Sequence, residues 1–219
     1  MSSEIVLTPL GHSCVLLELS GSSGPSRLLL DPGSLTPRLE PIADLDAVLI
    51  THAHPDHIDP PQIEALRAAG DFPVYGDAAS AQILESAKLT GAEVIETGPH
   101  KIAGVPVEVS EFTHETIYPG VPLPRDFAYR IAERVFAPGD AFAVPDFAVD
   151  VLLLPTGAPW MKLSETIDYM REIAPKVVLP VHDGGLAIAH REMHRTLIEK
   201  FAPEETRVLR PLVGERISL

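Results

Sequence analysis

His52-Ala53-His54-Pro55-Asp56-His57 follows directly on the apolar run Ala47-Val48-Leu49-Ile50-Thr51, placing three histidines and a carboxylate within six residues. Side chains two apart on an extended segment project to one side, so His52 and His54 can reach a single metal ion from a strand end. Pro55 then turns the chain. Asp56 and His57, at the approach to the next helix, can face a second ion roughly 3.5–4 Å from the first, the separation of two-metal hydrolases. A lone loop histidine is ordinarily a surface or structural residue; the cluster makes a metal centre the better reading.

Outward from this motif, Cys14–Leu19 and Arg27–Leu30 read as strands bounded by Gly, Pro, Ser or Asp. Pro60 to Ala69 predicts a helix: Ile63 and Leu66 are three apart, the prolines stand where a missing N–H costs least, and Gly70 stops it. Ala78 to Lys88 predicts a second helix with Ile83, Leu84 and Ala87 on one side. Val105–Phe112 alternates apolar and polar residues, and Pro106 favours an edge or a strand start. Phe127–Ile131 and Arg134–Ala137 predict a hairpin. Asp150–Leu154 and Val177–Val181 are further strands, separated by a helix from Ser164, as N-cap, to Ala174 before Pro175. Leu186, Ala189, Met193, Leu197 and Phe201 predict the buried stripe of a last helix, with short terminal strands at Val208 and Ile217. Strand runs alternating with helices in both halves indicate a layered α/β protein with sheet at its centre, expected as one domain over residues 1–219.

The pattern His-x-His-x-Asp-His after a strand resembles the signature of the metallo-β-lactamase superfamily, and further segments occur in the order that likeness implies. Leu28-Leu29-Leu30-Asp31-Pro32-Gly33 resembles the strand-ending aspartate ahead of the motif. Phe112-Thr113-His114, Pro138-Gly139-Asp140 and Leu179-Pro180-Val181-His182 end apolar β-like runs, where an α/β scaffold places reactive groups at one sheet edge. The resemblance implies an αββα four-layer sandwich. It also implies a first ion held by His52, His54 and His114, a second by Asp56, His57 and His182, and Asp140 between them. Without it, His114 reads as a strand-end polar residue, Pro-Gly-Asp as a turn and His182 as a core histidine. Gly11-His12-Ser13, the Asp59 that stands where many members have glycine, and Leu154-Pro155-Thr156-Gly157 bring the chain closer to the ascorbate-6-phosphate lactonase-like branch.

Five imidazoles and two carboxylates suit zinc, with manganese or iron as alternatives. Two such ions lower the pKa of a water between them and supply hydroxide as the nucleophile. The expected activity is therefore hydrolysis of a small ester, lactone or phosphoester, with Asp56 both a ligand and a candidate to orient the water or take a proton. Asp31 is expected to hydrogen-bond a ligand from outside the centre. His12, Tyr118 and Trp160 are candidates to line the substrate pocket. His190 and His194, four apart, lack the glutamate placement of a zinc-protease helix and read as a solvated flank. A non-catalytic metal-binding or sensory role, and a phosphodiesterase- or phospholipase-type hydrolase, are the competing readings.

Composition narrows the partners. Seventeen Lys and Arg against 31 Asp and Glu give a net charge of −14, which disfavours nucleic acid. Two divalent ions facing two carboxylates and a hydroxide would still leave a local positive surplus for a small anionic substrate. The single cysteine, Cys14, precludes an intrachain disulfide and suits a reducing compartment. The longest stretch without a charged residue, Ile5 to Leu17, is short of the ~20 apolar residues of a membrane span and is interrupted by Pro9, Gly11 and His12. The start, Met1-Ser2-Ser3-Glu4, lacks the basic opening of a signal peptide, so a cytoplasmic location is expected.

Overall fold

The apolar runs on either side of the histidine motif assemble into two seven-stranded sheets packed face to face. The structure is a computed structural model describing residues 4–21 and 24–219, so the reading of the extreme N-terminus falls partly outside the described residues. The first sheet contains β1 (Ile5–Gly11), β2 (Cys14–Gly21), β3 (Gly24–Leu30), β4 (Ala47–Leu49), β5 (Val74–Gly76) and β6 (Ala92–Val94). The second contains β7 (Gly98–Ile102), β8 (Val105–Thr113), β9 (Arg125–Ile131), β10 (Val135–Ala137), β11 (Val151–Pro155), β12 (Val177–Val181) and β13 (Arg207–Val208). A last short strand, β14 (Ile217–Ser218), returns to the first sheet beside β1.

Both sheets follow one plan. Antiparallel neighbours come first, β1–β2–β3 and β7–β8–β9–β10, and parallel strands follow, β3–β4–β5–β6 and β10–β11–β12–β13, the first parallel step in each sheet made by a loop and the next two by helical crossovers. Alternation within each strand sends one set of side chains inward: Leu7, Leu17 and Leu28 from the first sheet meet Val107, Phe127, Tyr129 and Ile131 from the second. The outer faces are covered by helices α1 (Pro60–Leu66) and α2 (Ala78–Ser86), which bury Ile63, Leu66 and Leu84, and by α3 (Leu163–Ile173) and α4 (Ile188–Phe201), which bury Tyr169, Met170 and Ile198. The result is the expected αββα layering.

Several local expectations change. The N-cap of α3 is Lys162, not Ser164, because Glu165 reaches back to accept the Lys162 backbone N–H at 2.7 Å and closes the first turn two residues earlier. In α4 the stripe Leu186–Phe201 is not the buried face: Met193 and Phe201 are 46% and 43% exposed, whereas Ile198 is fully buried. The helix turns inward along Arg191, His194, Arg195 and Ile198 because its polar residues have partners. His194 bonds the Thr156 carbonyl at 2.7 Å, so it is no solvated flank, while His190 is exposed as expected. No described helix is long and apolar enough to cross a membrane.

Candidate metal centre

The two halves of the sandwich bring their chemistry-bearing residues together at one edge. The β4 strand ends at Leu49, and the segment Ile50–His57 crosses toward the second sheet, where Phe127 N–H bonds the Thr51 carbonyl at 2.9 Å and the Tyr129 hydroxyl donates to the Ile50 carbonyl at 2.7 Å. His114 follows β8, Asp140 follows β10 and His182 follows β12, so strand ends of the second sheet face the histidine motif following the first. The loop after β3 must approach the motif closely at Gly33, where an added Cβ would sit 1.8 Å from the Asp56 carbonyl oxygen.

All seven sequence-predicted donors converge. His52, His54 and His114 form one group with ligand atoms within 4.8 Å of one another; His12, Asp56, His57 and His182 form a second; His52, His57 and Asp140 link them. Asp140 is central: its Oδ1 lies 3.3 Å from His57 Nε2, and its Oδ2 lies 3.1 Å from His182 Nε2 and 3.6 Å from His114 Nε2.

The outward nitrogens explain which atoms face the centre. The His57 Nδ1–H points at Asp31 Oδ2 at 2.9 Å, His114 Nδ1–H at the Glu115 carbonyl at 2.6 Å, and His182 Nδ1–H at the Gly157 carbonyl at 2.9 Å. His52 Nδ1–H has Thr51 Oγ1 at 3.1 Å and Asp126 Oδ1 at 3.2 Å. A neutral ring that donates from Nδ1 presents a bare lone pair at Nε2. The Nε2 atoms of His57, His114 and His182 are buried with no hydrogen-bond partner, as is Asp140 Oδ1. Electron pairs from imidazoles and a carboxylate, desolvated and facing one another, call for a cation, and this donor set fits a divalent one.

Burial holds the His52 ring well below the ordinary histidine range, with the neighbouring His57 charge adding to it, so this imidazole is neutral. Burial pushes Asp140 upward, but His57 and His182 outweigh it and keep the carboxylate well below its usual range. At Asp56 burial is likewise overridden, by the hydrogen bond from His12 and the charges at His57 and His182.

The remaining predicted residues sort unevenly. Asp31 stands where expected, accepting from Thr51 N–H and Thr51 Oγ1–H, both at 2.8 Å, as well as from His57. Trp160 touches the centre by a hydrogen bond: its indole N–H donates to Asp140 Oδ2 at 2.9 Å. His12 stands against Asp56 and also lines a cavity on its other side. Its side chain is 1% exposed, its Nδ1 accepts the Gly184 backbone N–H at 3.1 Å, and Nε2–H is therefore left to donate to Asp56 Oδ2 at 3.2 Å. Tyr118 lies 70% exposed on the loop after His114 and makes none of the ring contacts or hydrogen bonds joining the cluster. His12, Asp31 and His182 all have positive φ, at 50°, 41° and 57°, a strain that non-glycine residues tolerate where surrounding bonds fix them.

Sequence reasoning missed Asp126. Fully buried in β9, it accepts the Asp140 backbone N–H at 2.9 Å on Oδ2 while Oδ1 faces His52, and a Cβ on Gly139 would lie 2.2 Å from that Oδ1. Burial first, and the Asp140 charge second, push its carboxyl well above the usual range. A charged residue inside the apolar run Phe127–Ile131's strand was the available signal.

Residues 6–182 match the beta-lactamase superfamily domain. Protein Rv0786c of Mycobacterium tuberculosis is 34% identical over 215 residues, covering 93% of this chain and 95% of that one. A protein of Nanoarchaeum equitans named as a metal-dependent hydrolase is 27% identical over 186 residues, 79% of this chain and 81% of its own. Among solved structures, Igni18, described as a metallo hydrolase of Ignicoccus hospitalis, superposes with a TM-score of 0.72 at 22% identity, covering 99% of this chain and 98% of that one.

Proposed function

The chain belongs to the beta-lactamase superfamily, and we propose that within it the chain is a hydrolase that holds two divalent metal ions and cleaves a small ester, lactone or phosphoester. One observation carries this reading: three buried imidazole Nε2 atoms and Asp140 Oδ1 face a common centre without a hydrogen-bond partner. His52, His54 and His114 would hold one ion, Asp56, His57 and His182 the other, with Asp140 between them. The relatives named as metal-dependent hydrolases support the reaction class. The chemistry such ions would supply when bound is a lowered pKa for a bound water and polarisation of the scissile carbonyl or phosphoryl group. Zinc suits the imidazole-rich set, and manganese or iron satisfies the same donors.

The protein's own groups do the positioning. Asp31, Thr51 and the carbonyls of Glu115 and Gly157 fix the ring orientations by taking the outward N–H groups, and Asp126 Oδ1 stands 3.2 Å from His52 Nδ1 behind that ring. His12 holds Asp56 by one oxygen, and the Asp56 side chain, 29% exposed, is the ligand carboxylate that reaches solvent. It is thereby placed to orient a water or take its proton.

Metal analysis after reconstitution, with a screen of lactones, esters and phosphoesters, tests the proposal. Two equivalents bound, and loss of both an equivalent and activity in His54→Ala, are expected. Less than one equivalent, or full activity in His54→Ala, overturns it.

A further inference from the structure

Beside His12 lies a cavity of ≈ 130 Å³ that the metal centre does not use. Its polar side is made by Asp183, Arg191 and Arg195, and its apolar side includes Leu35, Pro37 and Val213. Both guanidiniums converge on one carboxylate: Arg191 Nε and Arg195 Nη2 lie 3.2 and 3.1 Å from Asp183 Oδ2, and Arg191 Nη2 donates to the Asp183 carbonyl at 3.0 Å. Two positive charges on one negative leave an excess of one. Glu192, 3.7 Å from Arg195, and Glu199, 2.7 Å from Arg210, balance the arginines over the helix surface, but neither lines the cavity, whose own charged residues are Asp183, Arg191 and Arg195. In a chain of net charge −14, a concave surface with a cationic surplus is the exception. A clamp tying α4 to the end of β12 needs only one of these arginines. The second, with its Nη1 bonded to nothing among the described residues, is available to an incoming acceptor.

The apolar rim specifies the rest of the ligand. Leu35 and Val213 are 46% and 59% exposed, and neighbouring Leu212 is 75% exposed, so hydrocarbon attached to an anion bound at Arg191 would cover surface now facing water. We propose that this cavity is a second binding site, for a small anion carrying a short apolar group, a carboxylate or a phosphate monoester, with Arg191 as its charge partner. The proposal rests on the arginine pair and the cavity, independently of the metal reading.

Calorimetric titration of the metal-loaded protein with hexanoate, butyl phosphate and hexanol is the test. Saturable binding of one or both anions is expected, with hexanol at least tenfold weaker, and the two anion arms tell the acid types apart. Arg191→Gln keeps the Asp183–Arg195 pair and should weaken anion binding about tenfold or more, the scale of a lost hydrogen bond to a charged group. Val213→Asp should do likewise through repulsion at the rim, with both arginines intact. No binding of either anion, equal binding of hexanol, or affinity unchanged in both variants overturns the proposal; the last would place the ligand at the metal centre instead.

Discussion

Trp160 is the chain's sole tryptophan, and its indole N–H occupies one oxygen of the carboxylate that stands between the two ligand groups. The ring also packs against Phe142, with centroids 5.4 Å apart, and lies 6.2 Å from His114. Removing the donor while keeping an aromatic ring isolates the hydrogen bond. Trp160→Phe should weaken metal binding about 10–100-fold, the usual cost of losing a partner that orients a ligand, as read by competition with a chromophoric chelator. In the unaltered protein, metal addition should change the intrinsic tryptophan emission, and His54→Ala should blunt that change. Asp126 gives a parallel case. It must accept from the Asp140 backbone N–H and face the His52 Nδ1–H at once, which two carboxylate oxygens can do. An amide sets a donor against a donor on one side. Asp126→Asn should therefore cost metal affinity by a similar factor, while chemical denaturation of the metal-free protein changes little because burial already favours an uncharged group there.

At the scale of elements, α4 separates what its pattern suggests from what its contacts do. Ile198→Ala should destabilise the fold by about 2–5 kcal/mol, as truncation of a buried aliphatic side chain does, and Met193→Ala by less than about 0.5 kcal/mol. Urea unfolding of both variants distinguishes the observed face from the stripe read from apolar spacing. That stripe failed because Arg191, His194 and Arg195 look like a solvated face until Asp183 and the Thr156 carbonyl are in place opposite them. The strands were legible where they were long and apolar, as in β2, β11 and β12. Strands β5 and β6 were not, each three residues long and defined by their parallel neighbours more than by their own residues. The donors carried by the motif were readable from local spacing, whereas His114, Asp140 and His182 needed the family likeness, because nothing in a Pro-Gly-Asp turn says what it will face. Asp126 and the role of His12 were beyond reach for the same reason: both depend on pairs distant in sequence, His12 with Asp56 and Asp126 with His52. The crossing of the loop after β3 over the motif is similarly nonlocal, and Gly33→Ala should push that loop off the Asp56 carbonyl and lower metal stoichiometry, measurable by metal analysis of the purified variant.

Over the whole molecule, the carboxylates behind the ligand set alter the charge balance at the centre. The local surplus expected from two ions facing Asp56 and Asp140 is reduced by Asp31, which stands directly behind His57, whereas burial pushes the carboxyl of Asp126, behind His52, toward its uncharged form. The centre is closer to neutral than the ligand set alone implies, and the cavity beside it, lined by Arg191 and Arg195 with Asp183, carries the cationic excess instead. Acidity should then act through the ligands. In the metal-free protein the histidines oppose one another. His52, lowered by burial and by His57, stabilises the fold above the unfolded value near 6.5, and that contribution is lost as pH falls through it. His57 and His182 are raised because Asp140 outweighs their burial, and their contribution is present below 6.5 and lost as pH rises through their folded values. Metal binding removes the opposition, since it requires every imidazole ligand neutral and each must shed its proton to bind. The Tm of the metal-loaded protein should therefore drop steeply between pH 7.5 and 5.5, whereas that of the metal-free protein should shift less or rise. The gap between the two curves should close as metal is released, followed by metal content after gel filtration at each pH. A gap that stays constant across this range would mean that the ions are not held by the imidazole cluster.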